Sequence, residues 1–385
     1  MRLGINGFFW NRETTGSGQY IHHLVGELLR LPVGPECVLF RPGRVDQHRK
    51  PMATAGRMQE SFLAPPIPLT ENLSKVWFEQ ISFRRACLEQ GIDVAHVPYF
   101  APPLRNGRSV VVTIHDLIPL ILPAYRGSFL VRLYTRLVAA GARHARAIIT
   151  DSEASRQDIL DLLNVPPPQV HVIYLAANEM FKPVGDAQML EMTREKYNLP
   201  QEYILYLGGF DQRKNVATLV LAFARMIENT GVPSHLVIAG RLPTEDSAFF
   251  PDPRPTVERA GVQERVSYIG WVPEEDKPAL YSAAEMFVFP SLYEGFGLPP
   301  LEAMSCGAAV IASDRGSLPE IVGEGGLLVD PLDVDGLAAA MTALAEDEGR
   351  RTELAAKGLD RAQRFSWQKT VAETLEVYRS VAAGG

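Results

Sequence analysis

The second half of the chain alternates between short apolar runs and amphipathic helical stretches, and this constrains the fold more than any other feature. Strand-like runs fall at Tyr203–Leu207, His235–Ala239, Val266–Ile269, Met286–Phe289, Ala309–Ala312 and Leu327–Val329. Helical patterns lie between most of them, and Val216, Leu219, Val220, Phe223 and Ile227 form one clear stripe. Strands that are apolar throughout are buried on both faces, and repeated strand–helix units give a doubly wound parallel sheet. Ligands of such sheets bind at the carboxyl ends of the strands. The loops that follow the strands are therefore where function is sought.

The stretch Ser291-Leu-Tyr-Glu294-Gly-Phe-Gly-Leu-Pro-Pro-Leu-Glu302 is the richest of these loops. Proline at the first helical positions and Gly307 just past the end predict a helix from Pro299 to Cys306. Glu294 then sits in the strand-to-helix turn and Glu302 in the first turns of the helix. Read alone, the two carboxylates fit an acid/base pair equally well. A second loop, Gly208-Gly209-Phe-Asp-Gln-Arg213-Lys214-Asn215, precedes another helix. A planar guanidinium, an ammonium and a helix N-terminus together suit a diphosphate, although in isolation Arg213-Lys214 is no more than a solvated basic pair. A third loop is Trp271–Pro273. All three should open on one crevice. Cations suit phosphates and carboxylates accept from sugar hydroxyls, so the combination reads as a nucleotide-sugar site.

The first half is less regular. Arg2 to Asn6 is β-like, and Ile21, Leu24, Val25, Leu28 and Leu29 follow at helical spacing. Between them lie Gly16 and Gly18, which let backbone approach a ligand or simply form a tight turn. A dinucleotide fingerprint would need a third glycine where Ile21 stands. Residues 41–75 read as irregular and rich in proline and arginine. Within them Phe62-Leu-Ala-Pro-Pro-Ile-Pro-Leu69 cannot be a regular central strand; it is a candidate acceptor loop, or a loop packed on its own domain. Leu73 to Glu89 reads as a helix. Asp93–Pro98 and Ser109–Ile114 read as buried strands, and the second runs into His115-Asp116, placed either for a site or for packing and turn capping. Ser128 to Ala145 reads as a helix carrying Arg132, Arg136 and Arg143. Asp151-Ser152-Glu153 opens another helix, and Ala176 to Asp186 reads as the inter-domain linker.

With 385 residues, 46% of them hydrophobic, two domains can each bury a core. No run approaches about 18 apolar residues, and the N-terminus is too short and too soon polar for a signal peptide. Cys37, Cys87 and Cys306 are too few and too scattered for a disulfide framework or a structural zinc site, which points to a cytoplasmic protein. Residues 1–180 carry a net charge of +4 and the remainder −11. A positive first half, including Arg84, Arg85, Arg105, Arg108 and Arg132 to Arg146, would suit docking on anionic lipid at the inner membrane face. An equally simple reading is a set of solvated faces. No motif points to nucleic acid or fixes an oligomeric state.

Glu294-Gly-Phe-Gly-Leu-Pro-Pro-Leu-Glu302 resembles the E-x7-E motif of the retaining glycosyltransferases of family four, also called group 1. Arg213-Lys214-Asn215 after Gly209 is similar to their diphosphate-binding segment. Gly16-Ser-Gly18, His115-Asp116 and Asp151-Ser-Glu153 match their N-terminal half in order. Through Gly18-Gln-Tyr-Ile, Pro98-Tyr-Phe-Ala-Pro-Pro and Thr113-Ile-His-Asp-Leu-Ile-Pro, the chain most resembles bacterial mannosyltransferases of polysaccharide assembly. The resemblance implies a GT-B fold: two Rossmann-like domains facing a cleft, with the last helix crossing back. The N-terminal acceptor domain is then 1–180 plus 366–385, and the C-terminal nucleotide-sugar domain is 181–365.

The resemblance further implies that Arg213 and Lys214 neutralise the diphosphate, Glu302 holds the ribose, and Glu294 holds a donor-sugar hydroxyl. His115, with Asp116 beside it, would face the donor sugar from the other domain. Gly16, Gly18 and Gly209 would offer backbone to phosphate. Val272 and the turn Gly295, Phe296, Gly297 and Leu298 would flank base and diphosphate. Two departures concern donor-side detail: Gln19 replaces a frequent arginine, and Ala176-Ala-Asn178 replaces an Asn-Gly-Val turn. The implied reaction is metal-independent, retaining transfer of a hexosyl group, mannosyl from GDP-mannose being favoured, to a saccharide or lipid-linked acceptor. Asp333-Val-Asp335 is the one D-x-D; its place before an Ala-rich helix makes Asp333 a cap rather than a metal ligand. The alternatives are a UDP-sugar transferase, a nucleotide-sugar epimerase, a non-catalytic sensor and, least favoured by the glycine pattern, a dehydrogenase.

Overall fold

The computed structural model describes residues 1–12, 15–44, 56–105 and 109–384. The chain divides into two compact units, Met1–Tyr174 with Trp367–Gly385, and Leu175–Ser366. The division falls after Tyr174, a few residues before the boundary read at 180.

In the first unit the strands are β1 (Arg2–Asn6), β2 (Glu36–Pro42), β3 (Met58–Leu63), β4 (Val94–Val97), β5 (Val110–Thr113), β6 (Ala147–Thr150) and β7 (Val170–Val172). They form one sheet in the order β3-β2-β1-β4-β5-β6-β7, every adjacent pair parallel. The sheet grows in opposite directions from β1 and β4, so its topological switch lies between them. Helix Gly16–Arg30 buries Tyr20, Ile21, Leu24, Val25 and Leu28. The last helix, Trp367–Ala383, also belongs to this unit and buries Trp367, Val371, Leu375, Tyr378 and Val381 along one face. Its Thr370 hydroxyl donates to the Tyr174 carbonyl at 2.6 Å.

One strand, β3, lies inside the stretch that the sequence reads as irregular, and β2 ends in it. β2, one strand in from the edge, carries Arg41 near its end, only 2% exposed, with its guanidinium 2.6 Å from Glu60 of β3. A buried ion pair between adjacent strands interrupts the apolar runs that would have marked both. Phe62 and Leu63 end β3, an edge strand, and the prolines begin only after it. Residues 45–55, part of the same irregular stretch, lie outside the described residues. The helix read from Leu73 to Glu89 is three continuous pieces, Glu71–Trp77, a π-helical segment Phe78–Ser82, and Phe83–Glu89.

In the second unit the strands are β8 (Tyr203–Leu207), β9 (His235–Ala239), β10 (Val266–Gly270), β11 (Met286–Phe289), β12 (Val310–Ser313) and β13 (Leu327–Val329). Their order is β10-β9-β8-β11-β12-β13, again wholly parallel. β8 and β11 flank the switch point. Helix Val216–Thr230 follows β8, and Gly231 (φ 65°) closes it in the left-handed region that favours glycine. Asp333 caps helix Val334–Ala345, its carboxylate accepting from the Gly336 amide at 2.9 Å.

Candidate active site

The loops after β8 and β11 meet at the switch point of the second sheet. After β8 the backbone makes a 3-10 turn at Gln212–Lys214 and enters the left-handed region at Asn215 (φ 56°), one of the few residue types that tolerates it. The Asn215 amide donates to the carbonyls of Pro290 (3.2 Å) and Pro331 (2.7 Å), and the Leu292 amide donates to the Arg213 carbonyl at 2.8 Å. These bonds pin the two loops together and aim Arg213 and Lys214 at the turn after β11.

There both cations reach Glu294. Arg213 Nη1 is 2.5 Å from Oε2 and Lys214 Nζ is 2.7 Å from Oε1, with all three side chains 12–13% exposed. Arg213 also donates to the Tyr293 carbonyl at 3.0 Å and lies 3.3 Å from Asp211. The Lys214 ammonium sits 4.8 Å from the centre of the Phe289 ring. Burial favours neutral forms of both partners. For Lys214 burial wins and its pKa is lowered; for Glu294 the Lys214 and Arg213 charges outweigh burial and hold the carboxyl below its usual range. Glu294 is thus an anion that fixes two cations, with lone pairs left on both oxygens.

Glu302 behaves in the opposite way. Gly297 (φ 118°) turns the chain into helix Leu298–Ser305, which buries Glu302. Among the described residues no cation lies within ion-pair distance of this carboxylate. It accepts from the Tyr281 hydroxyl at 3.0 Å, and burial pushes its pKa up to about 7 despite Lys277 nearby. The two carboxylates of one motif therefore sit in two regimes, one ionised and clamped, one poised to lose a proton.

The other expected donor-side residues sort by exposure. The side chain of Val272 is buried, and the exposed residue of that loop is Trp271 at 52%. Phe296 is buried against Phe365, with ring centres 6.0 Å apart, so only its backbone is available to a ligand. The Ser317 hydroxyl lies 3.0 Å from the Glu294 carbonyl and 2.5 Å from that of Phe296, tying down both ends of Gly295. The Gly209 carbonyl accepts from the Tyr206 hydroxyl at 2.5 Å. Leu298 opens the helix.

In the first unit, His115 and Asp116 follow β5 and Asp151 follows β6. Those strands are adjacent and parallel with Thr113 opposite Ile149, so the residues just beyond their ends are neighbours. His115 Nδ1 donates to Asp151 Oδ2 at 2.6 Å. Burial opposes a charge on the ring, but Asp151 and Asp116 outweigh it and raise the pKa. Nε2 is buried without a hydrogen bond of normal geometry, although the Pro98 carbonyl also favours the protonated ring. Asp151 was expected only as part of a helix opening; the residue that caps helix Glu153–Leu163 is Ser152, which accepts from Ser155. Asp116 does what the bland reading expected, accepting from the Ile118 amide at 3.0 Å.

Behind His115 runs a neutral chain. The Tyr378 hydroxyl meets His96 Nδ1 at 2.6 Å, His96 Nε2 meets Thr113 at 2.8 Å, and Thr113 meets Tyr20 at 3.2 Å. Burial, then the neighbouring His115, drops the His96 pKa to about 3, so its ring is neutral. Gly18 is placed differently from expectation. It lies in the first turn of helix Gly16–Arg30, its amide donates to the Thr15 hydroxyl at 3.2 Å, and a Cβ there would stand 2.0 Å from the Arg12 carbonyl oxygen. Its close approach is to its own chain. Gly16 begins the same helix with open space around it.

A pocket of roughly 350 Å³ lies among the residues that follow β1, β4 and β5, at the first unit's switch point. Its walls include Phe9, Tyr99, Phe100, His115, Asp116 and Tyr134. Beneath it Glu79, fully buried, accepts from the hydroxyls of Tyr99 (3.0 Å) and Tyr134 (2.6 Å). No sequence motif marked Glu79.

Residues 191–361 match the family described as glycosyl transferases group 1, and residues 14–179 the one described as glycosyltransferase family 4. The chain is 37% identical over 287 residues, 74% of each sequence, to an O-antigen chain mannosyltransferase B of Escherichia coli. It is 34% identical to an MMP alpha-(1->4)-mannosyltransferase of Mycolicibacterium hassiacum, across 100% of this chain and 99% of that one. Among solved structures, a sucrose-phosphate synthase from Thermosynechococcus elongatus matches over 100% of both chains with a TM-score of 0.76 at 23% identity.

Proposed function

We propose mannosyl transfer from GDP-mannose as the reaction of this chain, which belongs to the group 1, family-four glycosyltransferases and is a glycosyltransferase of the GT-B fold. The acceptor in this reading is a saccharide of a surface polysaccharide, carried on a lipid, and the reaction takes place at the cytoplasmic face of the membrane. No helix among the described residues is long and apolar enough to cross a membrane.

The observation that carries the reading is the Arg213–Lys214–Glu294 cluster at the switch point between β8 and β11. A nucleoside diphosphate bound there brings its own negative charges to two cations whose positions Glu294 and Asp211 already fix. The acceptor oxygen forms a bond to the anomeric carbon as the bond from that carbon to the diphosphate oxygen breaks. Attack comes from the face the diphosphate leaves, so configuration is retained, and the departing phosphate oxygen takes the acceptor proton. Arg213 and Lys214 stabilise the charge that grows on that phosphate, and positioned donors of this kind are worth about 10²–10³ in rate. Glu294 keeps lone pairs for a sugar hydroxyl, Glu302 accepts from the ribose hydroxyls, and His115 is the first unit's contribution to sugar binding. Mannose as the transferred sugar rests on the names of relatives above 30% identity.

The test is to offer radiolabelled GDP-mannose, UDP-glucose and UDP-GlcNAc in parallel, with and without a lipid-linked acceptor and in excess EDTA. Label is expected to pass from GDP-mannose alone, only with acceptor, and undiminished by EDTA. Label passing from a UDP-sugar would replace the donor. Conversion of the nucleotide sugar without transfer would replace the reaction class.

A further inference from the structure

Helix Phe129–Arg143 has an apolar face that no described residue of its own unit covers. Val138, Ala139 and Ala142 bury one side against the sheet. On the opposite side of the first two turns, Phe129 is 70% exposed, Leu130 72% and Leu133 53%. At about 100° per residue, these three fall within one sector roughly 100° wide, and Arg132 and Arg136 border it. The sector is one of the larger clusters of exposed apolar side chains in the molecule, unlike the scattered single residues that any surface carries. Its charge is one-sided. Between Asp116 and Asp151 the sequence has Arg126, Arg132, Arg136, Arg143 and Arg146 and no acidic residue, in a chain whose net charge is −7. Arg143 is occupied, donating to the Leu163 carbonyl at 2.6 Å, and Arg126, Arg132 and Arg136 carry no ion pair among the described residues.

The same helix is a wall of the pocket. Val131, Tyr134, Thr135 and Val138 line it, and its far side reaches His115 and Asp116. A bulky apolar edge with an arginine border, beside a cavity with aromatic walls and a few polar groups, is the arrangement of a segment that lies in a membrane interface with its apolar face in the acyl boundary.

We propose that the first two turns of helix Phe129–Arg143 dock on an anionic lipid surface, and that the adjoining pocket takes the polar headgroup of the lipid-anchored acceptor. The second part rests on the reading of the acceptor given above; the first does not. Phe129, Leu130 and Leu133 enter the acyl boundary, and Arg126, Arg132 and Arg136 meet lipid phosphates. Basic residues near such a surface each change binding roughly five-fold.

The experiment uses the full chain with vesicles of phosphatidylcholine alone or with about one-third phosphatidylglycerol. Wild type is expected to sediment with the anionic vesicles and far less with the neutral ones. Phe129→Ser/Leu130→Ser/Leu133→Ser and, separately, Arg132→Glu/Arg136→Glu are expected to lose that binding by at least about ten-fold, while keeping the wild-type melting temperature and its rise with GDP. Equal binding by wild type and both variants, or by both vesicle types, overturns the docking. So does a concentration-dependent dimer that the triple serine variant abolishes while no vesicle is bound, since the face would then belong to a second copy. A GDP response that is absent from wild type sinks the donor reading without touching the docking. Turnover on a delipidated acceptor equal to that on the lipid-linked one, with docking intact, overturns the pocket's headgroup role.

Discussion

At the switch point of the second sheet the polar groups are charges. Arg213 and Lys214 come from one strand end, Glu294 from the next, and each is ionised or nearly so and mostly buried. At the switch point of the first sheet most polar groups are rings and hydroxyls, with the pair His115–Asp151 and a looser one, Lys75–Glu79 at 3.9 Å. Tyr99, Tyr134, Thr113, His96 and Tyr378 form neutral hydrogen bonds around a buried Glu79 and the pair His115–Asp151. The same topology, a parallel sheet that reverses at its centre, thus presents two chemistries. Fixed cations suit a diphosphate, whose charge no neutral hydroxyl could offset. Aromatic walls and hydroxyls suit a saccharide, which carries little charge and many donors. What distinguishes the two ends is how each offsets the cost of burial: by two cations on one carboxylate in the second unit, and in the first by hydroxyl hydrogen bonds that share the work with the pairs His115–Asp151 and Lys75–Glu79.

Breaking the ion pairing should give the largest effect. Glu294→Ala leaves Arg213 and Lys214 buried side by side with only Asp211 to answer them, and removing one partner of a buried pair costs about 3–5 kcal/mol. Chemical denaturation of the second unit's transition reads this directly; a loss below 1 kcal/mol, on the scale of an exposed pair, would place Glu294 outside the cluster. Removing a cation should instead spare the fold more than the reaction. Arg213→Ala and Lys214→Ala are each expected to cut turnover by at least ~10². Near-normal turnover in both would remove the diphosphate assignment.

Gly18→Ala sharpens the comparison from the other side. Its Cβ would collide with the Arg12 carbonyl oxygen, 2.0 Å away, so the first unit should lose about 1–3 kcal/mol. Because the strain is local to the first unit, GDP affinity should not change. A fall in GDP affinity at unchanged stability would return Gly18 to the phosphate.

The smallest effect is a pH dependence from Glu302. Its folded pKa, about 7, lies above that of an unfolded glutamate, so the folded chain holds the extra proton between roughly pH 4.5 and 7. Stability from this group is therefore present at low pH and is lost as pH rises through that window. Ribose hydroxyls that donate to Glu302 need the carboxylate. GDP affinity should then rise about tenfold per pH unit below 7 and level off above it, and Glu302→Gln should flatten the profile. A calorimetric titration across pH 5.5–8.5 checks both, and an unchanged slope in the glutamine variant would take Glu302 away from the ribose.

The comparison also explains what could be read from the sequence. Glu294, Arg213 and Lys214 sit in two short loops that directly follow apolar strands, and Glu302 in the helix that follows one of them, so the strand–loop–helix pattern was enough to bring them to one crevice. Strands β8, β9, β11 and β13 match the runs read from the sequence, because each is a closed apolar block. The first unit's groups come together only through the sheet. Asp151 reaches His115 because β5 and β6 are neighbours, Tyr378 reaches His96 from the other end of the chain, and Glu79 sits in a π-helical turn inside a helix that looks ordinary. β2 and β3 went unread because Arg41 and Glu60 satisfy each other inside the sheet and break the apolar pattern. The opposite protonation of Glu294 and Glu302 has no sequence signal either, since it depends on which carboxylate the cations reach. The exposed sector of helix Phe129–Arg143 is legible only once the buried side is known.

We expect the Arg213–Lys214–Glu294 cluster to bind a nucleoside diphosphate. Thermal unfolding with GDP or UDP, for wild type and Lys214→Ala, tests it most directly. GDP should raise the melting temperature of wild type, UDP should raise it less, and neither should move Lys214→Ala. The same GDP-induced rise in Lys214→Ala as in wild type, or no rise in either with any nucleoside diphosphate, would contradict the claim.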